Sequence, residues 1–251
     1  MKREHKEMMK ARARNICLTV SYDGTAYHGF QRQSPPIRAV QNVLEEKLAL
    51  VFGDTIELAA AGRTDAGVHA MGQVVNFFTD GRIPTERIVR AMNSVLPSDI
   101  VVKAAREEGA DFSARHSAKS KSYIYRIQQG ETPDPFSERY AWYVGTPLDL
   151  AAMNAASVQL LGEHDFSSFR AAGGAPMLPV RTMYRAEVRR DGVGIEFFFH
   201  ANGFLYHMVR NIVGTGRRSV EDFAAILASC DRKRASATAP ARGLFLESVI
   251  Y

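Results

Sequence analysis

Long apolar runs are missing from this 251-residue chain. A membrane-spanning helix needs about 18–20 consecutive apolar residues, so a membrane span is not expected. Cysteine is scarce: Cys17 and Cys230 stand alone, with no CxxC and no Cys/His cluster. That spacing argues against a zinc site. The first stretch, MKREHKEMMKARARN, is basic but lacks the apolar centre of a secretion signal. Two scattered thiols without such a signal fit a reducing cytoplasm. There is no P-loop, no GxGxxG at a strand–helix junction and no cluster of metal ligands, so no nucleotide cofactor or metal is signalled. Repeats and low-complexity segments are also lacking.

What remains is an ordinary globular composition, 46% apolar and 24% charged. The length allows one large domain or two modest ones, each with its own core. The formal net charge is +5 and the pI about 9.3. A basic balance suits a polyanionic partner such as nucleic acid, and it also serves solubility.

Strand-like and helix-like segments alternate along the chain. Asn15 to Asp23 separates Ile16, Leu18, Val20 and Tyr22 from Cys17, Thr19 and Ser21, a period of two. Val40, Val43, Leu44, Leu48 and Val51 recur at helical spacing from Val40 to Phe52. Strands are expected over 55–60, 73–78 and 100–105, and a helix through Ile88 and Met92 that Pro97 stops. In the second half Ser122–Gln128 alternates as a strand. A helix is expected over 150–161, capped by Asp149 and stopped by Gly162. Val180–Arg190 and Val193–His200 read as a hairpin turning at Asp191-Gly192. Short helices are expected over 204–213 and, capped by Ser219, over 219–230, and the chain ends on a strand from Leu244. Helices between hairpin-linked strands indicate an α+β fold with antiparallel sheet. The packing looks thinnest near 106–116, so the expected domains are 15–110 and 111–251, behind a solvated basic arm at 1–14.

Three places carry chemistry. In AGRTDAGVHA, residues 61–70, Asp65 follows Arg63 by two positions on a strand-to-strand connection. The plain reading is an Asp bonding nearby amides in a turn. Gly62 and Gly67, however, leave room for a ligand, and an ionised, uncrowded carboxylate is a competent nucleophile. His69 reads as a structural histidine. In SYIYR, residues 122–126, Tyr123 and Tyr125 share a strand face: either core, or a platform for a base lifted out of its helix. In FLYHMVRNIVG, residues 204–214, Arg210 stands one residue beyond the apolar face and is either a snorkelling surface arginine or one aimed inward. Two basic clusters, one of Arg115, His116, Lys119 and Lys121, the other of Arg217, Arg218, Arg232, Lys233 and Arg234, could follow a phosphate backbone.

Five ordered blocks resemble the tRNA pseudouridine synthase A family: YDGTAYHGFQRQ (22–33), AGRTDAGVHAMGQVVNF (61–77), FSARHSAKSKSYIYRI (112–127), LLGEHDFSSFRA (160–171) and FLYHMVRNIVG (204–214). The likeness runs from about Asn15 to Tyr251. It implies two α+β domains around a basic cleft, a homodimer, and isomerisation of uridine to pseudouridine at nucleotides 38, 39 and 40 in the anticodon arm of tRNA, with no cofactor and no metal. It further implies Asp65 as nucleophile, Arg63 as an aid to base flipping, Tyr123 as the ring stacking on the flipped uracil, and Arg210 as the partner of Asp65. One departure stands out: the family carries a few more residues after its IVGT than this chain, which passes from Gly214-Thr215 straight to Gly216-Arg217-Arg218. From the residues alone, two rivals stay open: a non-catalytic RNA-binding protein, and a carboxylate-dependent nucleoside hydrolase.

Overall fold

The computed structural model describes residues 12–174, 176–192 and 194–251. Residues 1–11 of the expected arm, and Val193 at the head of the second hairpin strand, lie outside the described residues. The fold is α+β. It divides into two compact units: the first reaches Ala118 and takes back Ser248–Tyr251, and the second is Lys119–Glu247. Among the described residues no helix is long and apolar enough to cross a membrane.

The first unit contains β1 (Arg14–Tyr22), α1 (Val40–Phe52), β2 (Ala59–Ala60), β3 (His69–Thr79), α2 (Thr85–Asn93) and β4 (Ile100–Glu108). β1 lies between β3 and β4, antiparallel to both. Its two faces are both covered. Ile16 stands opposite Phe77, and the Phe77 ring meets Phe52 of α1 edge-on at 5.2 Å. Cys17, on the other face, is buried with Ala61, Val74 and Ala114 beneath Phe112 and Tyr251. Burial pushes the Cys17 thiol up to about 11, against the pull of nearby Arg106. α1 has the bounds its periodicity dictates, and Gly53 stops it at φ +69°, a left-handed conformation suited to glycine.

Of the expected strand at 55–60 only Ala59–Ala60 pairs, with β3. Side chains take the earlier backbone groups instead: Arg12 donates to Thr55 O, and Leu58 N–H donates to Glu45. The end of the supposed arm is docked as well. Arg12 pairs with Asp54 at 3.2 Å, and Arg14 donates to the carbonyls of Gly81 and Ile83.

The segment after β4, read from sequence as a thin boundary, is fastened into this unit. Buried Asn15 donates to the carbonyls of Gly109 (2.8 Å) and Phe112 (3.0 Å). Buried Asn76 donates to Asn15 Oδ1 and accepts from Ala114 N–H, both at 2.8 Å. A segment without regular structure must find such partners when it is buried.

The second unit contains β5 (Ser120–Gln129), β6 (Trp142–Val144), α3 (Leu150–Val158), β7 (Gly162–Asp165), β8 (Val180–Asp191), β9 (Gly194–Ala201), α4 (Met208–Thr215) and α5 (Val220–Ser229). β10 (Leu244–Ile250) ends the chain and passes from the second unit to the first. The strands run in the order β5-β9-β8-β7, all antiparallel, with β6 parallel on β5. Asp149 and Ser219 cap α3 and α5 as expected, accepting from Ala152 N–H and Asp222 N–H. Gly192 turns the hairpin at φ +56°. Gly162 does not stop α3, which ends at Val158; at φ +92° it opens β7. α4 starts later than its apolar spacing suggests, because His207 is held at φ 59°, ψ 8°, outside the helix. The short link after Thr215 is a closed turn: Gly216 N–H donates to Val213 O and Arg218 N–H to Thr215 O.

Asn76→Ala strands both the Ala114 amide and the Asn15 carbonyl oxygen in a dry interior. It is expected to lower unfolding free energy by about 2–3 kcal/mol in urea titration; an unchanged midpoint would show that the 109–114 segment contributes nothing to the first unit.

Candidate active site

Asp65 lies on the connection between β2 and β3, and each neighbour of that connection is tied to buried structure. Ala61 N–H donates to Val74 O at 2.8 Å. The Gln73 side chain, fully buried on β3, donates to Gly62 O at 2.8 Å and accepts from Gly62 N–H at 3.3 Å. Thr64 turns inward, and its hydroxyl meets the buried Tyr22 hydroxyl at 2.7 Å. Burial pushes the Tyr22 phenol well above its usual range. Phe30 N–H donates to Thr64 O at 3.0 Å, and Gly67 N–H to Tyr27 O at 3.3 Å.

A turn then presents the acid. Val68 N–H donates to Asp65 O at 3.1 Å, closing four residues with Gly67 at φ +75° in the third position. Opposite it, a Cβ on Gly24 would fall 2.0 Å from Val68 O, so only glycine lets these two backbones approach. With Thr64 buried, Arg63 is exposed and Asp65 half-buried. The result is a carboxylate on a rigid base with its side chain partly open to solvent.

His69 belongs to the frame. It is buried, and its Nδ1 accepts from Gly24 N–H at 3.1 Å. Asp23 Oδ1 lies equally near, at 3.1 Å.

In the second unit, Tyr123 on β5 is 9% exposed and meets the Phe204 ring edge-on at 4.8 Å. Its neighbour Tyr125 is fully buried, with its hydroxyl donating to Pro240 O at 2.8 Å. Tyr125 is therefore core and has no part in a two-ring platform. Arg126 points away and pairs with buried Glu196 at 3.2 Å, beside Arg189.

Arg210, half-buried on α4, is fixed through its own neighbours. Its Nε donates to Ala239 O at 2.8 Å while Ala239 N–H donates to Arg210 O at 3.1 Å. One terminal nitrogen lies 3.2 Å from His207 Nε2. Below it, fully buried Asn211 donates to Phe169 O at 2.8 Å and accepts from Thr238 and Arg232 at 2.6 and 3.1 Å. Arg232, grouped by sequence with the phosphate-following cations, is instead spent inside this loop, donating also to Ala235 O and Ser236 O. Arg115, His116, Lys119, Arg217, Arg218, Lys233 and Arg234 are exposed. Sequence reading passed over Gln73, Tyr22, Thr64 and Asn211. Asn211 alone carried a signal: an amide inside an otherwise apolar helical run.

Comparison with known proteins decides the family. The model of the tRNA pseudouridine synthase family matches residues 18–117 and 156–251. The chain belongs to the tRNA pseudouridine synthase family. Relatives called tRNA pseudouridine synthase A include that of Moorella thermoacetica, 48% identical over 93% of this chain and 98% of its own. That of Geobacillus kaustophilus is 46% identical over 94% of each chain, and that of Lacticaseibacillus casei 45% over 93% and 98%. A solved Cbf5-Nop10-Gar1 complex shares 12% identity at a TM-score of 0.33, over 94% of this chain and 58% of that one. Membership in the pseudouridine synthase family makes the chain an enzyme of the isomerase class and sets the non-catalytic binding protein aside.

Gly24→Ala should force Val68 away and loosen the turn that carries Asp65. The expected loss is about 1–3 kcal/mol of stability by urea titration, with turnover falling further than stability explains. A variant with unchanged midpoint and turnover would show that this close approach positions nothing.

Proposed function

We propose that this enzyme isomerises uridine to pseudouridine at positions 38, 39 and 40 in the anticodon arm of tRNA, with Asp65 as the nucleophile. The observation that carries the reading is the mounting of Asp65: a half-buried carboxylate on a turn anchored through Thr64, Gln73 and Tyr22, in a chain of the pseudouridine synthase family.

The reaction breaks the N1–C1′ bond, turns the uracil, joins C5 to C1′ and releases the C5 proton, while N1 gains one. Nothing is oxidised or reduced and no group is exchanged with an outside reagent. Asp65 stabilises the positive charge that develops on the sugar as N1 departs, or adds covalently to C1′ or to C6 of the base. In this reading Arg63, exposed two residues before Asp65, assists extrusion of the target base. Tyr123 stacks on the uracil, and Arg210 pairs with the Asp65 carboxylate. Flipping costs a few kcal/mol, and stacking on an aromatic ring returns about 1–3. The exposed cations hold the RNA backbone, the working form is a homodimer, and the site of action is the cytoplasm, where Cys17 and Cys230 stay as the free thiols they are here.

Tritium release from C5-labelled uridine in tRNA measures the reaction directly. Asp65→Asn is expected to fold with unchanged melting temperature and to lose activity roughly 10⁴-fold or more. A folded Asp65→Asn protein that still releases tritium would sink the assignment, and free uracil among the products would point to hydrolysis instead.

Binding of an anticodon stem-loop RNA should weaken linearly on a log–log plot against salt. Replacing Arg115 or Lys119 by Gln should flatten that slope by about one where the residue contacts a phosphate. Slopes identical to the parent for both variants would remove these two residues from the RNA contact.

A further inference from the structure

His207 occupies the N-cap position of α4 at φ 59°, ψ 8°. A left-handed backbone is strained for any residue with a Cβ, and glycine or asparagine takes it more easily. An N-cap side chain normally recovers something by accepting from the first helical amides, but His207 makes no such bond. Its carbonyl does begin the helix, accepting from Asn211 N–H at 2.9 Å, and Tyr206 O is turned to Ala171 N–H at 3.0 Å. Any residue could supply those backbone groups.

The imidazole goes elsewhere. One turn along the helix, at the spacing where side chains share a face, Arg210 lies with a terminal nitrogen 3.2 Å from His207 Nε2. A guanidinium cannot accept a hydrogen bond, so Nε2 accepts and the proton of the neutral ring sits on Nδ1. The half-exposed Tyr206 ring lies 3.9 Å from the imidazole, tilted by 31°, and limits its rotation. Ala239 O holds Nε of the same guanidinium. Ala239 O and His207 Nε2, on different segments, both hold the guanidinium of Arg210, and His207 sits on a strained backbone.

We propose that His207 is a positioning residue for Arg210: the left-handed N-cap exists to bring a neutral imidazole nitrogen to the guanidinium, orienting it for the reaction. The proposal rests on the reading of Arg210 given above.

Steady-state tritium release from C5-labelled stem-loop RNA, with thermal melting of the same full-length proteins, tests it. His207→Gly removes the acceptor and relaxes the backbone. Its melting temperature is expected to be unchanged or higher, with KM unchanged and kcat lowered roughly ten- to a hundredfold. His207→Gln places an amide oxygen near the Nε2 position and is expected to recover most of that loss, whereas His207→Leu is not. In the unmodified protein, imidazole ¹⁵N shifts are expected to show Nε2 without a proton. Full kcat in the glycine variant overturns the proposal. So does a glutamine variant as slow as the leucine variant, or a proton found on Nε2 beside Arg210. Arg210→Lys tests the underlying reading separately: if it retains full turnover, Arg210 has no part in the chemistry, and the positioning role falls with it.

Discussion

Two hydroxyls withdrawn from water, Tyr22 on β1 and Thr64 on the connection between β2 and β3, hold the segment that carries Asp65 in the first unit. A buried hydroxyl without a partner is expensive, and in a low-dielectric interior a satisfied pair is correspondingly stiff. With Thr64 turned inward to meet Tyr22, Arg63 on one side is exposed and Asp65 on the other half-buried. Gln73 fixes the entry to the turn through both backbone groups of Gly62, and Gly24 admits the close backbone approach behind Val68. The acid is oriented by buried groups on either side of it.

The second unit uses the same means. Asn211 is fully buried, and its amide and carbonyl oxygen join the Phe169 segment to the 232–238 loop. Gly214 lets α4 lie against that loop, since a Cβ there would fall 2.0 Å from Ala237 O. Arg210 is held one residue before this anchor, by Ala239 and His207. In both units a charged side chain with proposed chemistry adjoins a buried polar residue that fixes the backbone, which is how a site on loops and short helices keeps its geometry.

Much of this was readable in the residues because the relevant forces are local. The caps at Asp149 and Ser219 depend on bonds within a few residues, and α1 follows from the period of its apolar side chains. The family signature around Asp65 is a contiguous string. Misreadings occurred where a distant partner decided. Leu58 spends its amide on Glu45 and does not extend β2. Arg232 looks like a solvated cation until its acceptors in the 211 and 235–238 segments are seen. Tyr125 matches Tyr123 in the alternation, and only its bond to Pro240 O and its complete burial make it core.

The sequence by itself determined the α+β class, the basic character, most elements to within a few residues, and the contiguous motifs in which Asp65, Arg63, Tyr123 and Arg210 stand. These follow from side-chain period, capping chemistry and contiguous motifs, all carried along the chain. Only the tertiary structure decided that Thr64, Gln73 and Tyr22 orient the acid, that residues 106–114 belong to the first unit, and that His207 leaves the helix to reach Arg210. Each of those depends on which buried donor finds which acceptor. Such pairing is set by packing in three dimensions and leaves no period or motif along the chain.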